Sequence, residues 1–202
     1  MLHRLTGSRA MISILSVALT VACLAPAQAQ DAKEMEAMMA AATPGPHHAA
    51  LASKAGSYKT TSTMWVKPGD PPMETVGTAE LEATLGGRFI EEVTKATMMG
   101  MPWEGRGVFG YDNVTGKHTG VWYDSFGTMM MTFEGTCEEH CKKISLTSTY
   151  IDPMTKTEKA MKSVSVDKGN GNSLTTLYDL SEGKEMKIVE IIYERVSDQA
   201  KR

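Results

Sequence analysis

From Gly56 to Arg195 the chain repeats one unit, a run of roughly seven to eleven strand-forming residues closed by a turn signal, about ten times over. The interruptions read Lys67-Pro68-Gly69-Asp70, Gly86-Gly87, Gly100-Met101-Pro102, Asp112-Asn113 with Thr115-Gly116, and Asp124 to Gly127. They continue with Cys137 to Cys141, Asp152-Pro153, Gly169 to Asn172 and Ser181-Glu182-Gly183. No segment between them is long enough for a crossover helix, which parallel strands would need. Sequential antiparallel strands remain. A meander of that many closes most economically into an up-and-down barrel, so the sequence predicts an all-β antiparallel barrel of about ten strands.

Alternation assigns faces within the strands. In the sixth, Met129, Met131 and Phe133 share one face, opposite Thr128, Met130, Thr132 and Glu134. In the fifth, Gly120, Trp122 and Asp124 oppose Val121 and Tyr123. In the tenth, Met186, Ile188, Glu190 and Ile192 stand against Lys187, Val189, Ile191 and Tyr193. Several strands mix polar and apolar residues on both faces. Such mixing suits a barrel with a partly polar interior better than a simple sandwich core.

Residues 1–29 have the form of a secretion signal. His3, Arg4 and Arg9 make a basic start, Met11 to Leu24 an apolar stretch, and Ala27-Gln28-Ala29 a small-x-small cleavage site. That stretch is too short to anchor stably in a bilayer of about 30 Å. Cys23 is the alternative, a lipidation site, but Thr20 departs from the Leu that a lipobox prefers. The expected address is therefore periplasmic or secreted. Residues 30–55 read as a helical arm and barrel plug, 56–196 as the barrel, and 197–202 as a tail. Asp31 to Ala42 has helical spacing of Met35, Met38, Met39 and Ala42, Thr43-Pro44-Gly45-Pro46 breaks it, and a second helix is expected over His47 to Ala55, ending at Gly56.

The formal charge of the 202-residue chain is −3, and the leader contributes two arginines and no acid. No basic cluster exists to hold nucleic acid or anionic lipid. Cys137 and Cys141 form an even pair beyond the leader, which in an oxidising compartment reads first as a disulfide. Facing positions of a hairpin tip bring Cα atoms within the span of about 4.4–6.8 Å that a disulfide needs. So small a loop gains only about 2 kcal/mol in the chain-entropy model, so the fold should survive its loss.

Several phrases occur together in order: Pro44-Gly45-Pro46-His47, Gly56-Ser57-Tyr58, Leu85-Gly86-Gly87-Arg88-Phe89, Met98 to Gly105, Gly110-Tyr111-Asp112-Asn113, Asp124 to Thr128 and Tyr150 to Thr155. In this order the chain resembles the bacterial family catalogued as domain of unknown function 1579, over roughly residues 44 to 195. The resemblance implies a lipocalin-like barrel and no established activity. Gly56-Ser57-Tyr58 is also similar to the Gly-x-Trp opening of lipocalins, with Tyr in place of Trp. The family pattern has no cysteine pair at its hairpin, so the pair reads as an elaboration of this chain.

The candidate site residues follow from chemistry. A charge facing a barrel interior must be paired or hydrated, because unpaired burial costs several kcal/mol. Arg88 and Glu190 are such candidates, either gripping an anionic ligand head group or forming an internal ion pair. Trp103 and Trp122 stand two residues from Gly105 and Gly120, where a ring can lie over the glycine as a ligand platform or simply pack the barrel. Of the 16 methionines, Met129 and Met131 share a face and suit an adaptable apolar cavity. Thioethers also bind Cu(I), but adjacent methionines on a strand diverge. Cys137, His140 and Cys141, with Glu138 or Glu139, have zinc or copper chemistry but awkward spacing, so no metal site is assigned. His118 stands beside a turn, a poor place for a haem ligand.

Hydrolase, phosphate-loop and dinucleotide motifs are absent from the sequence. A lumen-carboxylate enzyme and a metal or redox module using the Met clusters and Cys137/Cys141 stay open beside the leading expectation. That expectation is an exported barrel binding a small apolar or amphipathic molecule. No cofactor is implied, and the sequence leaves the oligomeric state undecided.

Overall fold

The computed structural model describes residues 24–65, 71–138, 140–181 and 183–196. The basic start and apolar core of the leader, Cys23, the whole Lys67–Asp70 turn, Glu139, Glu182 and the 197–202 tail lie outside them. The chain divides into a unit before Thr43 and a unit from Thr43 onward. The first holds helix α1 (Leu24–Ala42), which begins earlier than the spacing from Asp31 predicts. Met35, Met38 and Met39 are exposed on it. Among the described residues no helix is long and apolar enough to cross a membrane.

The second unit is helix α2 (Pro46–Ala52) and ten strands: β1 (Gly56–Met64), β2 (Met73–Thr84), β3 (Phe89–Met98), β4 (Met101–Asp112), β5 (Lys117–Asp124), β6 (Met131–Glu138), β7 (Lys143–Ile151), β8 (Glu158–Gly169), β9 (Asn172–Asp179) and β10 (Met186–Arg195). Each pairs antiparallel with its sequence neighbour, and β1 pairs with β10 to close the barrel. Closure leaves no edge strand in need of protection. The expected architecture, an up-and-down barrel of about ten strands, is the one observed.

Register fixes which side chains point inward. Tyr58 lies opposite Ala79, Ala79 opposite Thr94, and Thr94 opposite Gly105, so these form one inward row across β1 to β4. His118, Gly120 and Trp122 continue the inward face on β5, paired with Gly135, Phe133 and Met131 of β6. Small inward residues recur because large rings need their space. A Cβ on Gly105 would run into Trp122 and lie 2.7 Å from Trp103 Cη2, and one on Gly107 would lie 3.0 Å from Trp122 Cε3. Gly135 is tight for a different reason, since its Cβ would collide with the Ser145 carbonyl and lie 2.9 Å from Leu146 Cα. Backbone cannot swing aside as a side chain can. Gly135→Ala is expected to cost about 3 kcal/mol of stability by overpacking, measured by urea denaturation.

One end of the barrel is closed by α2. Pro46 opens the helix, where its missing N–H forfeits nothing, and His48 Nδ1 accepts a 3.0 Å hydrogen bond from the Gly45 N–H. Leu51 drops into the principal core with Ile90, Phe133, Ile144 and Leu146. The helix ends at Ala52 with Ser53 as its cap, short of the predicted Ala55. The physical reason lies in Arg195, whose guanidinium donates to the Ser53 and Ala55 carbonyls and turns the chain into β1. Gly56, expected as the helix stop, instead begins β1 with φ 151°, and a Cβ there would meet that guanidinium.

Candidate functional site

The two ends of the barrel differ in chemistry. The end away from α2 carries the β1–β2, β3–β4, β5–β6, β7–β8 and β9–β10 connections. Every methionine from Met64 onward lies toward this end: on first or last strand residues (Met64, Met73, Met98, Met101, Met131, Met186), in its loops, or, for Met161, early in β8. Just inside stand Trp103 and Trp122, stacked with ring centroids 6.2 Å apart. Inward-facing Trp103, Trp122, Met131, Ser163 and Thr175 are only half-buried, although they point into the barrel. A filled core would bury them, as it buries Ile90 and Phe133 nearer α2.

Deeper in the lumen, Glu92 projects from β3 directly across from Gly107, over which Trp122 lies. Its Oε1 accepts from Tyr193 Oη at 2.9 Å and from Thr94 Oγ1 at 2.8 Å. Both donors fall on one oxygen, which leaves Oε2 as the oxygen without a protein donor. Burial raises the Glu92 pKa above its ordinary value, against the opposing pull of Thr94 and Tyr193. Burial and the neighbouring Glu92 likewise push the Tyr193 phenol well above its usual range.

At the plugged end four side chains from distant parts of the chain converge: His47 of α2, His118 of β5, Cys137 of β6 and Cys141 of the following turn. The ligand-capable atoms all lie within 4.8 Å of one another. His47 Nδ1 is 3.3 Å from Cys137 Sγ, 3.2 Å from Cys141 Sγ and 3.2 Å from His118 Nε2. Cys141 Sγ is 3.6 Å from His118 Nε2. The His47 ring is stacked on Tyr111 at 4.0 Å and an interplanar angle of 3°, which fixes its orientation. His118 is 2 % exposed, and burial first, then His47, His48 and Lys54, lowers its pKa to about 4. Cys137 and Cys141 are joined as a disulfide with Cα atoms 4.8 Å apart, as the sequence predicts.

The residues singled out from sequence do not form one site. Trp103, Trp122 and Met131 gather near the open end. Met129 does not share their strand, because β6 begins at Met131 and Met129 belongs to the preceding loop. Arg88 sits at the opposite, plugged end, in the turn into β3, where its Nη1 donates to Leu85 O at 3.0 Å. Glu190 points away from the lumen. Its parity opposes that of Tyr193, and it pairs with Lys187 at 3.1 Å. Among the described residues the buried carboxylate is Glu92 instead.

The metal-capable set also differs from the one expected. His140 is in the turn with φ 54° and outside the cluster, and Glu138 pairs with Lys143. His118, read as a rim residue, is among the most buried in the chain. Its shared parity with Gly120 and Trp122 was the available signal. No local signal tied His47 to the cysteines, which are about 90 residues away by sequence separation. A depression of about 630 Å³ also lies on the outer wall among Phe89, Val108, Val121 and Thr132. Its one charged residue, Glu134, is paired with Lys117, and its other polar lining is hydroxyl.

Fold and site together define a closed ten-stranded antiparallel barrel, plugged at one end and rimmed with methionine at the other. The chain belongs to the family described as protein of unknown function (DUF1579), whose match spans residues 43–195. Among solved structures it is similar to the crystal structure of Rv2717c from M. tuberculosis. That likeness has a TM-score of 0.55 at 16 % identity, covering 77 % of this chain and 100 % of the other, and it concerns the fold alone. No curated protein matches the sequence.

Proposed function

We propose that this protein is an exported binding barrel that takes one small amphipathic molecule into its lumen through the methionine-rimmed end. The observation that carries the reading is the line Glu92–Gly107–Trp122, which sets a buried carboxyl of raised pKa beside the half-buried aromatic wall. An apolar body would lie against Trp103 and Trp122, and a carbonyl or hydroxyl at its end would accept from Glu92 Oε2. Flexible thioethers around the mouth suit entry of an apolar group without a fixed shape. Export rests on the N-terminal sequence alone, as does the periplasmic or secreted address.

Titration with the apolar fluorophore N-phenyl-1-naphthylamine tests lumen entry. One equivalent should bind saturably and quench tryptophan emission. Trp122→Ala should weaken binding about tenfold, the worth of roughly 1.4 kcal/mol of aromatic contact. Ser163→Trp, placed inward across from Leu146, should fill the lumen and abolish binding while the circular dichroism stays that of a barrel. Binding that survives Ser163→Trp would put the probe on the outer wall and end the proposal.

A further inference from the structure

We infer that the plugged end of the barrel is a Cys2His2 zinc site built from His47, His118, Cys137 and Cys141, loaded when the two cysteines are reduced and emptied when they are oxidised. This inference is independent of lumen binding. Its first ground is the way His47 Nδ1 meets three partners at once, at 3.2, 3.2 and 3.3 Å. A ring nitrogen has either one hydrogen or one lone pair in its plane, so it can satisfy only one of the three by hydrogen bonding. Beyond the Cys137–Cys141 bond, the two rings and two sulfurs converge with no set of hydrogen bonds that pairs them all, which is the arrangement of ligands around a common centre.

The edge lengths agree. Zn–N bonds of about 2.0–2.1 Å and Zn–S bonds of about 2.3 Å at tetrahedral angles give N···N edges of about 3.3 Å and N···S edges of about 3.5 Å. The observed N···N edge is 3.2 Å, and the close N···S edges run from 3.2 to 3.6 Å. Of the two other edges, Cys137 Sγ to His118 Nε2 lies within 4.8 Å, and the last joins the two sulfurs, which part to the roughly 3.8 Å a shared ion requires once their bond is broken. Charge agrees as well. Two thiolates and two neutral imidazoles around Zn2+ make a complex of zero net charge, the kind that a buried position tolerates. The Tyr111 ring stacked on His47 supplies the outer support that holds a ligand ring in place.

The redox step balances with a dithiol reductant. Two electrons and two protons pass from the dithiol to the Cys137–Cys141 bond, leaving two protein thiols and the reductant's own disulfide. Zn2+ then binds the two sulfurs and the two ring nitrogens as the thiols release two protons to solvent. A disulfide oxidant reverses the sequence: the thiolate sulfurs rejoin, the oxidant leaves as two thiols, and Zn2+ departs. Because the ligands come from α2, β5, β6 and the turn after it, the ion would pin the plug helix to the barrel wall.

The test compares the full-length protein in its two redox states. Reduced protein, freed of reductant, should bind one equivalent of Zn2+, and Co2+ in its place should give the intense visible bands of a tetrahedral site with thiolate-to-cobalt charge transfer in the near ultraviolet. The same protein with both cysteines oxidised should bind at least a hundredfold more weakly. His47→Ala and the double change Cys137→Ser, Cys141→Ser should each lose affinity by a similar factor, and His140→Ala should lose none. Equal Zn2+ binding in the two redox states, or no binding by the fully reduced chain, overturns the inference whether or not the variants fold. Cobalt bands that vanish in His140→Ala but persist in His47→Ala overturn it too, since the ligands would then be those of the turn alone.

Discussion

Replacing Arg195 with alanine should lower the unfolding free energy by about 3 kcal/mol, the largest loss expected from any single change outside the core. The guanidinium donates to Ala55 O at 2.8 Å, Ser53 O at 3.1 Å and Tyr58 Oη at 2.8 Å, and it lies 5.1 Å from the Tyr58 ring centroid. It also fills the space above Gly56 and Gly171. Truncation thus leaves two carbonyls without their charged donor at the junction between plug and barrel. Arg195→Lys should recover less than half, because one ammonium cannot reach both carbonyls and lie flat on the tyrosine. Urea denaturation of the three proteins at one pH checks this. An Arg195→Ala loss below 1 kcal/mol would mean that the plug is held by Leu51 and its apolar neighbours alone.

The second large effect is on pH dependence. The folded-state pKa of Glu92 lies above its ordinary value of 4.5, with burial the main cause. Below 4.5 both folded and unfolded chains hold the proton, and its contribution to stability is complete. As pH rises from there the unfolded chain ionises while the folded chain keeps its proton. Stability then falls by about 1.4 kcal/mol per pH unit until the folded-state pKa is passed. Asp112, Asp152 and Asp179 act with the opposite sign at lower pH. Their turn hydrogen bonds, with Lys159 for Asp152, depress their pKa values, so stability is lost as pH falls through that range. The difference between wild type and Glu92→Gln isolates the one group. Glu92→Gln retains an acceptor for Tyr193 and Thr94 and should remove the decline above pH 4.5, leaving the acid limb unchanged. Parallel profiles for the two proteins would show that Glu92 is charged in the fold.

Turn chemistry is local, and for that reason the strands were legible. Asp112 and Asp152 each accept backbone N–H bonds from residues two or three ahead, the short-range habit that makes aspartate a turn signal in sequence. The cysteine pair was legible on the same ground, since a four-residue separation leaves few ways to place two facing positions. Strand ten was harder. Ile188 and Ile192 make one face as apolar as Val189 and Ile191 make the other, so alternation alone could not decide which enters the barrel. The choice fell to Tyr193, whose hydroxyl finds Glu92 across the lumen, and Glu190 was thereby turned outward.

Glu92 illustrates the same boundary from the other side. Within the sequence Glu91-Glu92 offers two adjacent carboxylates, one for each face of β3, and nothing in that pair says which is buried. The sequence by itself determined the number of strands, their antiparallel order, their closure and the clip at Cys137–Cys141, because turns and alternation act over a few residues. Tertiary structure alone decided which face of each strand looks inward, gathered the methionines at one mouth, and brought His47 of the plug against His118 and the cysteines. Those outcomes depend on barrel register and on contacts across about 90 residues, whose loop-closure cost is met only when the whole wall is in place.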